Sequence, residues 1–60
     1  MTWPLTICFP DPKTGKYMKY KLVGEHHIYL VYENVETLER ILIPKSVVWQ
    51  YADMSKCNQK

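Results

Sequence analysis

The residues of this 60-residue chain best suited to chemistry are its two cysteines and two histidines. Cys8, Cys57, His26 and His27 add up to a zinc-type donor set. Structural zinc sites draw ligands from close pairs such as C-x₂₋₄-C and H-x₃₋₅-H. Here the cysteines stand at opposite ends of the chain, and adjacent histidines on a strand point to opposite faces. No metal site is expected. Cys8 or Ser46 with His26 or His27 would make a nucleophile and base only if an orienting group converged on them in a cleft. A chain this short has little interior in which to form a pocket of a few hundred Å³. Glu25, Glu33, Glu36 and Glu39 fall around turns, where carboxylates serve solvation and edge protection. Gly15 and Gly24 are the only glycines, so no phosphate-cradling loop exists. The expectation is a protein without catalytic residues, cofactor or metal.

Two features favour binding instead. Lys13, Lys16, Lys19 and Lys21 interleave with Tyr17 and Tyr20. Lysines can neutralise phosphates while bases stack on tyrosine rings, so Lys16, Tyr17, Lys19 and Lys21 are candidate nucleic-acid contacts. The net charge of +2 is small for that role. The second feature is an excess of apolar residues on both faces of the expected sheet, where a free-standing antiparallel sheet keeps one face polar. Ile28, Leu30, Tyr32 and Trp49 are the candidate anchors for a partner. The first reading is therefore a protein–protein interaction module that docks a partner or forms a homodimer, of the kind small phage, plasmid or bacterial accessory proteins provide. Nucleic-acid binding is the alternative.

The elements that must position these residues are strands. Val, Ile, Tyr, Thr and Trp are plentiful and Ala52 is the only alanine, a balance that suits pleated, half-buried segments. The expected fold is one all-β domain, a small antiparallel barrel or curled four- to five-stranded meander. Residues 2–9 form a first strand, and residues 10–15 a loop rich in turn formers. Residues 16–23 and 26–33 pair across a Gly24-Glu25 type II′ turn. That register sets Tyr20 opposite Tyr29 and Leu22 opposite His27. Met18, Tyr20, Leu22, Tyr29 and Val31 then share the core face, while Tyr17, Lys19, Lys21, Ile28, Leu30 and Tyr32 face the other way. Residues 37–43 return as a strand whose register the sequence leaves open. Residues 46–54 fit either a closing strand or a short C-terminal helix capped by Ser46. The β-branched Val47-Val48 pair favours the strand. Residues 56–60 are expected to fray.

The N-terminus, Met1-Thr2-Trp3-Pro4, lacks the features of a secretory signal, and no apolar run reaches the roughly 20 residues needed to span a membrane. Cys8 and Cys57 are accordingly expected as free thiols in a reducing cytoplasm.

The run Ile41-Leu42-Ile43-Pro44-Lys45-Ser46-Val47-Val48 resembles the close of a Src-homology-3-type small barrel. The resemblance implies a strand ending at the proline, one 3₁₀ turn, and a short valine-containing strand that completes the barrel. The acidic loop and Tyr-rich opening of the peptide-binding members are missing, so their Pro-rich ligand and contact residues are not carried over. This barrel serves many unrelated tasks.

Overall fold

The computed structural model describes residues 2–58. Four strands, β1 (Thr6–Pro10), β2 (Tyr17–His26), β3 (Tyr29–Asn34) and β4 (Arg40–Pro44), pair with their chain neighbours in the order β1-β2-β3-β4, all antiparallel. The sheet curls into a half-barrel, and a 3₁₀ turn (Val48–Tyr51) follows β4. Among the described residues no helix is long and apolar enough to cross a membrane. Gln59 and Lys60, at the end expected to fray, lie outside the described residues.

Local chemistry builds each connection. Between β1 and β2, the Asp11 carboxylate accepts from the Thr14 hydroxyl (3.1 Å) and the Lys13 N–H (3.4 Å), while its carbonyl accepts from Gly15 N–H (2.7 Å). Gly15 takes φ 75°, which costs a residue without Cβ nothing sterically. Between β3 and β4 the buried Asn34 does the same work. Its Oδ1 accepts from the N–H groups of Glu36 (2.8 Å) and Thr37 (3.0 Å), and Leu38 completes the loop at φ 67°.

The central hairpin differs from the sequence expectation. The chain reverses at His27-Ile28, with His27 at φ 53°, and Gly24 lies within β2 opposite Val31. The register runs Tyr20↔Asn34, Lys21↔Glu33 and Leu22↔Tyr32, then Gly24↔Val31 and His26↔Tyr29, with an irregularity between Leu22 and Gly24. Val23 is the extra residue of a bulge, a role in which an adjacent glycine is at home. The later reversal lengthens β2 to ten residues, and the bulge inverts which β3 side chains face the core. Leu30 and Tyr32, expected on the outside, are therefore wholly buried. Tyr29 and Val31, expected inside, turn outward.

The core is Ile7, Tyr20, Leu30, Tyr32, Ile43 and Val48, with Trp3, Phe9, Met18, Leu22 and Tyr51 packed against it. Pairing of Leu30 with Ile43 and Tyr32 with Ile41 settles the β4 register and turns Leu42 outward. Residues 47–51 do not close the barrel as a strand. The 3₁₀ turn drops Val48 into the mouth of the half-barrel instead, and Tyr51 meets Phe9 edge to face at 4.8 Å. From the N-terminal side, the Pro4 carbonyl accepts the Tyr32 hydroxyl (2.7 Å). Burial pushes the Tyr32 phenol above its ordinary pKa, and it raises Tyr20 too, where the Asn34 side chain partly offsets it.

The cysteines are not free thiols. Cys8 and Cys57 form a disulfide with Cα atoms 5.9 Å apart. Cys8 alternates with the core-facing Ile7 and so points to the outer face of the sheet, whereas the 3₁₀ turn packs on the inner one. The C-terminal segment thus passes round the free edge of β1 and is pinned behind it. Sequence distance hid this pairing: 49 residues separate the two sulfurs along the chain, and only folding of the meander brings them together.

Candidate interaction face

Cross-strand neighbours share a face, so the registers define the outer surface strand by strand. One row runs Thr6, Lys21, Glu33, Arg40 and the next Gly24, Val31, Leu42; Tyr29 and Pro44 follow towards the His27-Ile28 turn. The charged row is internally paired. Glu33 accepts from Arg40 Nε (3.1 Å) and lies 3.9 Å from Lys21 Nζ. Beyond it, Val23, Val31, Leu42 and Tyr29 form an apolar group continued at the turn by Ile28. Val23 is 39% exposed, Leu42 54% and Ile28 65%. None of the described elements covers this group. The Lys21–Glu33–Arg40 row borders this group with charge on one side, whereas the Lys45–Glu25 ion pair belongs to the opposite face, where Glu25 stands opposite the core residue Leu30.

Of the four residues expected to anchor a partner, Ile28 and Trp49 are exposed, Trp49 at 56% on the 3₁₀ turn. Leu30 and Tyr32 belong to the core and present no surface. Val23, Val31 and Leu42 stand on the outer face instead. Sequence reasoning missed them because the bulge, which has no signal beyond Gly24, decides which β3 positions face out.

The lysine–tyrosine row is found where the alternation of β2 puts it. Tyr17, Lys19 and Lys21 point outward and Lys16 sits exposed at the end of the loop. Two of these residues are already engaged. Lys56 Nζ lies 4.7 Å from the Tyr17 ring centroid and 3.1 Å from its hydroxyl, occupying the surface on which a base would stack. Lys21 faces Glu33.

The chemistry-bearing residues stay apart. Cys8 and Cys57 are tied to each other, which withdraws both thiols from nucleophilic or ligand roles. His26 and His27 contact each other, with ring centroids 4.4 Å apart, at the β2–β3 turn. An open cleft of about 170 Å³ lies beside the disulfide, lined by Cys8, Tyr17, Tyr51, Asp53 and Lys56 among others. It is smaller than sites that enclose small molecules, which span roughly 300–1,000 Å³.

No family of proteins, no characterised protein and no solved structure matches this chain.

Proposed function

We propose that this chain is a non-catalytic binding module that docks a partner protein on the outer face of its sheet. The observation that carries the reading is the uncovered apolar group of Val23, Val31, Leu42 and Ile28 on a sheet whose other face already holds the core. Apolar patches bordered by charge mark interaction sites; exposed Trp49 sits on the 3₁₀ turn at the inner side of the sheet and is no part of this patch. The lysine–tyrosine row supports nucleic-acid binding less well, since Lys56 and Glu33 occupy two of its members. A strand that ends at Pro44 and passes into a 3₁₀ turn is the part of the Src-homology-3-type pattern that supports kinship with those barrels, while the closing strand that pattern implies is replaced by the turn itself. The Cys8–Cys57 bond favours an oxidising compartment over the reducing cytoplasm.

The test is affinity capture from the native host with two immobilised chains, wild type and Val23→Asp/Ile28→Asp. Both substituted residues are exposed, so the fold survives and circular dichroism stays unchanged. A partner retained by the wild type and lost by the variant supports the reading. Equal capture by both, or no capture by the wild type, defeats it.

A further inference from the structure

The two free edges of the sheet are treated differently. The C-terminal segment passes round β1 and is pinned there by the disulfide, whereas β4 pairs on one side only. Which backbone groups of β4 remain open follows from the flanking hydrogen bonds. Asn34 N–H donates to Glu39 O (2.7 Å) and Lys45 N–H to Ile28 O (2.8 Å). In an antiparallel ladder, hydrogen-bonded and non-bonded pairs alternate. Ile41 and Ile43 therefore direct their N–H and C=O groups towards β3, and Arg40 and Leu42 direct theirs away from the sheet. Among the described residues no group bonds to these four open donors and acceptors. The next outward carbonyl, Pro44 O, already accepts from Val47 N–H (3.1 Å), and Pro44 has no N–H to give.

We infer that β4 pairs antiparallel with β4 of a second copy about a two-fold axis at Ile41. This deepens the binding-module reading by naming one partner. In that register Arg40 N–H donates to Leu42 O of the second copy, and Leu42 N–H donates to Arg40 O. By symmetry, four hydrogen bonds satisfy every open group of both strands, and the proline falls outside the ladder. Arg40 stands opposite Leu42, so no like charges face each other directly, and the Arg40 guanidinium is held back over the sheet by Glu33. Leu42, more than half exposed, is covered by the aliphatic stem of the opposing arginine. The Val31–Leu42 row of one copy then continues into the Glu33–Arg40 row of the other.

Sedimentation equilibrium from micromolar to millimolar protein, with amide hydrogen exchange at both extremes, tests this. The expected result is a particle of twice the chain mass at high concentration. Protection of the Arg40 and Leu42 amides should rise with concentration, while Ile41 and Ile43 are protected throughout. Leu42→Pro deletes an N–H that has no partner within one chain, a substitution an edge strand tolerates. It removes two of the four bonds and should weaken the dimer about tenfold or more, while Leu42→Thr, which keeps the N–H, retains the edge bonds. If Leu42→Pro fails to fold, the exchange data on the wild type decide. A monomer at millimolar concentration, or Arg40 and Leu42 amides that exchange freely at every concentration, overturns the inference. A persistent monomer whose partner capture still depends on Val23 and Ile28 would overturn the edge pairing and leave the docking face standing. A dimer with no face-dependent partner would do the reverse.

Discussion

Removing the Cys8–Cys57 bond is the perturbation with the largest calculable consequence. The bond closes a loop with a sequence separation of 49. The chain-entropy relation puts the denatured-state freedom released by opening such a loop at about 4 kcal/mol at 25 °C. A chain of this size has a total stability of only about 3–9 kcal/mol, so the bond accounts for a large share of it. At about 4–8 °C per kcal/mol for a small domain, the melting temperature should fall by about 15–30 °C. The assay compares thermal unfolding of the oxidised chain, the chain held in excess dithiol, and Cys8→Ala/Cys57→Ala. The reduced wild type and the double variant should agree with each other and lie far below the oxidised form. Limited proteolysis should first cut residues 52–58, which the bond holds behind β1. Melting temperatures within about 3 °C of each other, well below that range, would refute the reasoning. The C-terminal segment would then be held by its non-covalent contacts alone, or the reduced ensemble would already be as restricted as the crosslinked one.

Three further outcomes follow from single groups. Tyr32→Phe removes the hydroxyl that donates to Pro4 O and leaves that carbonyl without its partner, so urea unfolding should show a loss of about 1–2 kcal/mol. Leu38→Gly relieves a left-handed backbone at an exposed side chain. The relief of about 1–2 kcal/mol exceeds the added chain entropy of about 0.5–1 kcal/mol, and the unfolding midpoint should rise. Burial raises the Tyr20 and Tyr32 phenols in the folded state, so the native chain holds those protons more tightly than the unfolded one. Their contribution is complete below the unfolded tyrosine pKa of about 10 and is lost as pH climbs through the higher folded values. Stability measured against pH should therefore decline on the alkaline side, and in Tyr20→Phe the decline should be shallower.

Composition and turn chemistry suffice to fix the class and strand order of this fold. A chain rich in β-branched and aromatic residues, with Asp11 to Gly15 and Asn34 to Leu38 between its apolar runs, has little choice but a short-stranded meander, because those turn residues satisfy the backbone locally. Asp11 and Asn34 act through bonds two or three residues away, which is why their loops were legible. Tertiary structure decided what local chemistry leaves degenerate. The reversal at His27-Ile28 prevailed over Gly24-Glu25 because the longer β2 pairs with all of β3 and lets Leu30 and Tyr32 fill the core. One bulged residue then exchanged the faces of β3 and moved the candidate surface to Val23, Val31 and Leu42. Val48 became a plug and not a strand because the curled sheet left an opening that a single 3₁₀ turn fills. The disulfide depends on the register of β1, the curl of the sheet and the path of the C-terminal segment together, and no spacing between Cys8 and Cys57 encodes it. Side-chain periodicity fixes which residues alternate, and only the packed chain fixes which side of that alternation meets water.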